Sequence, residues 1–220
     1  MKIRGLFHTP FDSLELVKNL NMTHAHLLLE NGRGDEFYAK AHTLGLHCMI
    51  SEGTEGKTII EFLGGRNPCP DCFVTCPDEP NLRGISPQVV RAISNTFNAA
   101  GWETFVALSD IRSYSGYEGV ASIIAFSQYE DWTLWRKLKM LVRLKLFRIK
   151  SKAKILAIIP VKPGKLARHY STWKNLIRTD GYFFYSFVPN QESPPWASVD
   201  VSELPYVQEI LRRINRDAVE

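Results

Sequence analysis

The chain has 220 residues, of which 45% are hydrophobic and 23% charged, a composition that excludes a disordered or fibrous chain and allows a large core. Its net charge is +4, but nine of the 27 basic residues lie within residues 136–154, a segment without acidic residues. The rest of the chain has 18 basic and 23 acidic residues, which excludes a generally basic nucleic-acid-binding protein. Every apolar run is shorter than the roughly 18 residues that a membrane span needs.

Short β-rich runs alternate with longer helical patterns along the chain. Several of these runs are almost continuously apolar, as parallel strands buried on both faces are. The eight predicted strands are Ile3–Phe7, His24–Leu29, His47–Ile50, Phe73–Cys76, Thr104–Leu108, Ala121–Phe126, Ile155–Ile159 and Tyr182–Phe187.

Helical patterns with recognisable ends separate these strands. Asp12 is the expected cap of the first helix, Asp35 is that of the second, and Ser86 followed by Pro87 is that of the fourth. The other predicted helices are about Lys57–Leu63, 132–154, Leu166–Ile177 and Val207–Ile214.

Eight strand–helix units in this length are near the lower limit for a closed (β/α)8 barrel. The link between Leu108 and Ala121 is too short for a full helix, so we expect the fifth helix to be reduced or missing. An open doubly wound sheet is the alternative, but no Gly-x-Gly-x-x-Gly follows the first strand. The sequence therefore predicts an α/β protein, a single compact TIM barrel domain over residues 1–220.

In such barrels the chemistry lies where the strands end, because the βα loops converge on one rim. The residues that follow the predicted strands are rich in carboxylates, amides and aromatic rings, which suit a ligand with many hydroxyl groups, such as a sugar. The candidate substrate-binding residues are His8, Glu30, Glu52, Asp110, Gln128, Tyr129, Lys162, Asn190 and Trp196.

Two adjacent carboxylates, Asp78 and Glu79, follow the fourth predicted strand and lie between Pro77 and Pro80. Adjacent carboxylates at a partly buried rim repel each other, so that one of them tends to keep its proton. A neutral carboxylic acid can protonate a leaving oxygen, which makes this doublet the candidate catalytic pair.

Asp78-Glu79-Pro80 resembles the Asn-Glu-Pro that many (β/α)8-barrel glycoside hydrolases carry at the end of the fourth strand. Another group of these enzymes, which uses the substrate's own acetamido group as nucleophile, carries an Asp-Glu pair there. Either resemblance implies a glycosidase in which Glu79 is the general acid and Asp78 orients the substrate or stabilises the intermediate. Trp196 resembles in position the aromatic residue that forms the sugar platform in such enzymes.

Retaining members of the first group carry a nucleophilic Glu after the seventh strand, where this chain has residues 160–164, Pro-Val-Lys-Pro-Gly. The second carboxylate therefore stays open among Glu30, Glu52 and Asp110, and so does the choice between inverting, retaining and substrate-assisted hydrolysis. Lys162 also allows an aldolase-like Schiff base. The alternative to an enzyme is a non-catalytic barrel that serves as a binding or assembly module.

The basic helix, residues 132–154, mixes its cations with Trp135, Leu138 and other apolar residues. An outer barrel helix with its basic side in solvent accounts for this pattern. The functional alternative is a docking surface at residues 136–154 for an anionic partner: lipid, nucleic acid or an acidic protein.

The four cysteines do not form a disulfide scaffold. Cys69-x-x-Cys72 is expected to be a reduced loop pair, and Cys76 a small apolar residue, because no second cluster supplies the four ligands of a typical zinc site. A disulfide or a regulatory metal at Cys69 and Cys72 is the alternative. On the first interpretation, a reduced loop pair, we predict no cofactor. Because residues 1–6 show no apolar stretch of signal-peptide length, we also predict a cytoplasmic location.

Overall fold

The structure, a computed structural model, describes residues 3–29, 32–52, 58–109, 116–127, 133–161, 165–174, 179–185, 201 and 204–217. Each strand pairs in parallel with the next, and the eighth pairs with the first, so the sheet closes into a barrel. The predicted (β/α)8 barrel is confirmed. The strands are β1 (Ile3–Phe7), β2 (His24–Leu29), β3 (His47–Glu52), β4 (Phe73–Thr75), β5 (Glu103–Ser109), β6 (Ile123–Ser127), β7 (Lys154–Pro160) and β8 (Gly181–Tyr185).

Helices pack around the outside of this barrel. A 3-10 turn at Phe11–Ser13 precedes the first of them. The helices are α1 (Leu14–Asn19), α2 (Gly34–Thr43), α3 (Ile59–Leu63), α4 (Pro87–Ala99), α5 (Leu134–Lys150), α6 (Leu166–Thr172) and α7 (Pro205–Asp217). Residues 116–122, the described part of the link between β5 and β6, form only turns and bends, so the expected loss of a helix at this point is confirmed. None of the described helices combines the length and apolarity needed to cross a membrane.

The ends of α4 agree with the sequence prediction. The Ser86 hydroxyl accepts a hydrogen bond from the Val89 N–H, and Pro87 occupies the first turn. Gly101 follows the helix with φ = +87°, a conformation that costs glycine little and other residues much more.

The two predicted aspartate caps are wrong. Asp12 lies inside the 3-10 turn, and Ser13 is the N-cap of α1, without a side-chain hydrogen bond. The N-cap of α2 is Arg33, and Asp35 lies in the first turn, where it pairs with Arg66. The positive end of the helix dipole favours a carboxylate in the first turn even when that carboxylate does not cap the helix. A first-turn carboxylate and a capping carboxylate therefore give the same sequence pattern.

Aromatic rings fill the middle of the barrel. Phe73 and Phe105 stack with their centroids 5.5 Å apart, and Phe183 packs edge-on against Phe73 at 5.9 Å. Gly5 faces this cluster, and a Cβ atom there would overlap the Phe183 ring. The interior is therefore a packed core, separate from the larger core between strands and helices.

Candidate active site

Hydroxyl side chains occupy the inward-facing position at the carboxyl ends of four adjacent strands. Each lies two residues beyond a side chain of the barrel interior, because side chains alternate along a strand. All four are buried: Ser51 on β3, Thr75 on β4, Ser109 on β5 and Ser127 on β6. They form a polar layer above the aromatic core and belong to two hydrogen-bonded chains.

The first chain is organised by His26 on β2. The His8 N–H donates to Nδ1 of His26 at 2.9 Å, so the ring proton lies on Nε2, which donates to Ser51 Oγ at 2.7 Å. Ser51 in turn donates to Thr75 Oγ1 at 2.7 Å. Burial and the neighbouring His8 hold the pKa of His26 well below its ordinary value. This chain therefore contains a neutral imidazole with a fixed tautomer.

The second chain ends on Glu79. The Ser109 hydroxyl donates to a carboxylate oxygen of Glu79, and its oxygen lies 2.6 Å from that of Ser127. Because each hydroxyl has one hydrogen, Ser127 is the donor to Ser109. The Asn81 side chain binds both backbone groups of Ser109, with its carbonyl accepting from the N–H at 3.3 Å. These bonds attach the loop after β4 to the end of β5.

Two candidate site residues have left-handed backbone conformations. His8, after β1, has φ = +50°, and Glu79, after β4, has φ = +44°. Such conformations cost about 1–3 kcal/mol for residues with a side chain and concentrate at functional sites. The strain at Glu79 is offset by the hydrogen bonds that hold its carboxylate and its loop against β5.

Asp78 lies beside Glu79 and makes a loose ion pair with Arg83, with Oδ2 and Nη2 3.8 Å apart. Burial of the carboxyl group and repulsion by Glu79 raise the pKa of Asp78 to about 6, against the opposing effect of Arg83. The side chain keeps 53% of its surface exposed, so water screens part of these interactions. In this doublet Asp78 has the raised pKa, as expected for one member of a repelling pair.

A pocket of about 320 Å³ adjoins the rim beside the loop after β1. Phe11 lines this pocket, and the Arg33 guanidinium lies over the Phe11 ring, 4.1 Å from the ring centroid. The lining residues are His8, Thr9, Pro10, Phe11, Leu27, Leu28, Arg33 and Phe37. His8 thus belongs both to this pocket and to the His26 chain, whereas neither Asp78 nor Glu79 lines it.

The other predicted site residues are placed as follows. Glu52 is the exposed last residue of β3, on the strand face opposite Ser51. Outside the described residues lie Glu30, Asp110, Gln128, Tyr129, Lys162, Asn190 and Trp196. Sequence reasoning missed the hydroxyl layer and His26. The signal was available, since Ser51, Ser109 and Ser127 each come directly after a predicted apolar strand.

Comparisons with known proteins agree with the fold. No protein-family model matches the sequence, and a comparison with curated proteins finds no match. Among solved structures, the chain is similar to the β-mannanase AaManA of family GH113 from Alicyclobacillus acidocaldarius. The TM-score is 0.63 at 12% identity, over 98% of this chain and 96% of that one.

Two further barrels give similar values. A GH128 endo-β-1,3-glucanase from Sorangium cellulosum has a TM-score of 0.60 at 13% identity, over 96% of this chain and 98% of that one. A truncated 3-deoxy-D-arabino-heptulosonate 7-phosphate synthase from Thermotoga maritima has a TM-score of 0.63 at 9% identity, over 99% and 84%. At such identities the likeness concerns the fold alone. In structure, the chain is a compact (β/α)8 barrel similar to those of glycoside hydrolases.

Proposed function

We propose that this protein hydrolyses a glycosidic bond, with Glu79 as general acid and Asp78 beside it orienting the substrate or stabilising the intermediate. The observation that carries the proposal is the left-handed backbone of Glu79 combined with the Ser127–Ser109 chain that holds its carboxylate at the rim. The GH113 mannanase and GH128 glucanase with the same fold support a carbohydrate substrate.

Each group has a defined task in this proposal. Glu79 protonates the leaving oxygen, and Ser109 fixes the direction in which its carboxyl group points. His8 and the pocket beside it bind neighbouring sugar hydroxyls, and Trp196 stacks on a sugar ring. Glu30 or Asp110 supplies the second carboxylate, since Glu52 lies on the strand face opposite the inward-facing Ser51. The second carboxylate would lie about 5 Å from Glu79 in a retaining enzyme and about 6.5–9.5 Å in an inverting one.

Glu79→Gln tests the enzymatic proposal. Wild type and variant are assayed against β-1,4-linked mannan and β-1,3-linked glucan oligosaccharides, and against acetamido sugars. We expect turnover to fall by about 10²–10⁴-fold, as for loss of a general acid, with oligosaccharide affinity changed less than about threefold. Glu103→Gln, at the start of β5 and so at the opposite end of the barrel from Glu79, is the matched control and should retain full turnover. Sugar binding with no turnover in either form would instead indicate a non-catalytic module.

A second candidate function is docking to an anionic membrane surface through α5. Its inner face packs on the barrel through buried Met140, Leu144 and Phe147. Its outer face is also apolar and follows the helical spacing of three or four residues. The exposed residues are Trp135, Leu138, Val142, Leu146 and Ile149, the last with 82% of its surface accessible.

Cations border this outer stripe on both sides. By helical geometry Lys139 and Lys150 fall on one side of it and Lys145 on the other, and all three are exposed. The expected basic side in solvent is therefore present, with an apolar stripe between its cations. An apolar stripe flanked by lysines is complementary to a lipid surface with anionic headgroups, which takes up both kinds of side chain.

Vesicle sedimentation tests this second function. We expect binding to phosphatidylcholine vesicles that contain phosphatidylserine, weaker binding without phosphatidylserine, and a decline with salt. The double variant Leu146→Gln/Ile149→Gln should lose binding, whereas Ile60→Gln, at an exposed apolar position on α3, should retain it. Binding that ignores both lipid charge and the double substitution would contradict a role for α5.

A further inference from the structure

Three side chains of types that can ligate a metal ion converge at the amino-terminal end of the barrel. His42 lies near the end of α2, and Cys69 and Cys72 lie in the loop between α3 and β4. Their ligand atoms all lie within 4.8 Å of one another, and Cys72 Sγ is 3.9 Å from His42 Nε2. His42 is 27 positions from Cys69 and 30 from Cys72 in sequence, and the packing of α2 against β2 and β3 brings it close to them.

The backbone of the Cys69–Cys72 segment places both thiols on one side of a tight turn. The Cys72 N–H donates to the Cys69 carbonyl at 3.1 Å, and Asp71 between them has φ = +64°. The Cys48 N–H donates to Cys72 Sγ at 3.3 Å. Backbone N–H groups directed at a ligand atom are the outer contacts that orient and stabilise a metal-bound thiolate.

Two thiolates and one imidazole favour zinc over the hard cations, which prefer oxygen ligands. With Zn–S near 2.3 Å and Zn–N near 2.0 Å, tetrahedral ligands lie about 3.5–3.8 Å apart, so small side-chain rotations close the present spacing around an ion. His42 is exposed and Cys69 half-buried, which leaves the fourth position accessible to water.

We propose that His42, Cys69 and Cys72 bind Zn²⁺, with water as the fourth ligand, and that the ion ties α2 to the loop that leads into β4. Cys72 comes before β4 and Asp78 after it, so this site lies at the opposite end of the barrel from the acidic doublet. In (β/α)8 barrels that end supports stability rather than chemistry. The zinc ion therefore stabilises this end of the barrel, and the site is independent of the proposed hydrolysis.

The test is metal binding by the whole chain, purified anaerobically under reducing conditions and stripped with a chelator. Co²⁺ should produce visible d–d bands of tetrahedral intensity and near-ultraviolet thiolate charge transfer, both abolished by one equivalent of Zn²⁺. Cys69→Ser and His42→Gln should each lower Zn²⁺ affinity by at least about 100-fold and remove the rise in Tm that zinc gives the wild type. Cys76→Ala, which removes a buried thiol outside the cluster, should bind zinc as the wild type does.

Three results would overturn the zinc site. One is a Co²⁺ spectrum without tetrahedral or thiolate bands. Another is zinc affinity that neither Cys69→Ser nor His42→Gln changes. The third is a Cys69–Cys72 disulfide that forms in air and is not prevented by stoichiometric zinc, because a bound ion would protect both thiolates from oxidation.

Discussion

Ser109 donates its only hydroxyl hydrogen to the carboxylate of Glu79, and therefore its oxygen accepts from Ser127. A strand-end serine thus fixes the direction of a carboxylate that belongs to a different loop. The bond joins β5 to the loop after β4 at the rim where the proposed reaction takes place.

Removal of the Ser109 hydroxyl should affect catalysis more than binding. A hydrogen bond to a charged group contributes about 1.5–3 kcal/mol, so Ser109→Ala should lower kcat by about 10–100-fold with little change in KM. Ser127→Ala, which removes only the donor to Ser109, should have a smaller effect. Steady-state kinetics on the best substrate measures both. An equal rise in KM with constant kcat would show that Ser109 acts in substrate binding instead.

The pKa of Asp78 should respond in opposite directions to its two charged neighbours. Repulsion by Glu79 raises this pKa and Arg83 lowers it. Glu79→Gln should therefore lower it from about 6, and Arg83→Gln should raise it. Carbon-13 NMR titration of the side-chain carboxyl groups measures the shifts without any substrate. Identical titration curves in the three proteins would disprove the electrostatic coupling of the doublet.

The protein should lose stability in mild acid because of His24 on β2. Burial lowers the pKa of His24 to about 4 from its ordinary 6.5, and the charges of His47 and Lys154 act in the same direction, against Asp71 and its backbone carbonyl. The unfolded chain protonates His24 more readily than the folded one. The contribution of His24 to the free energy of unfolding is therefore fully present above about pH 6.5 and is lost as the pH drops towards 4.

The expected loss from His24 alone is about 2 kcal/mol at pH 5 relative to pH 7. Urea unfolding at both pH values measures it. His24→Gln should reduce the difference by a similar amount, and His26, also buried with a lowered pKa, accounts for part of what remains. An unchanged difference in His24→Gln would show that other groups control the acid sensitivity.

Gly5→Ala should destabilise the barrel, because the new Cβ would overlap the Phe183 ring. Overpacking of this kind costs about 1–3 kcal/mol, to be measured by chemical denaturation. The double variant Gly5→Ala/Phe183→Leu should be less destabilised than the sum of its single variants, since the smaller side chain leaves room. Additive effects of the two substitutions would mean that the Phe183 ring does not cause the steric clash.

The architecture was predictable because its pattern is local. Continuous apolar runs such as that of β7 and the Ser86–Pro87 helix start follow from residues near each other in sequence. The prediction failed at Asp12 and Asp35, where a carboxylate in the first turn and a carboxylate at the cap give the same pattern. Only the backbone conformation distinguishes the two.

The candidate site was predictable only where it is contiguous. Asp78 and Glu79 are adjacent and follow a strand, so the sequence indicates them directly. The contact between Glu79 and Ser109 depends on a left-handed residue and on the pairing of β4 with β5, which no local pattern contains. The same holds for His42 and Cys72, whose proximity follows from the packing of a helix against the barrel.

The rings of Phe73, Phe105 and Phe183 pack against one another across the barrel axis and are fully buried. A molecule that enters among the strand ends therefore meets a closed floor and must leave by the route it came. Substitutions that change the shape of one mouth therefore leave the contacts at the other unchanged, so that the two ends of the molecule are free to diverge separately.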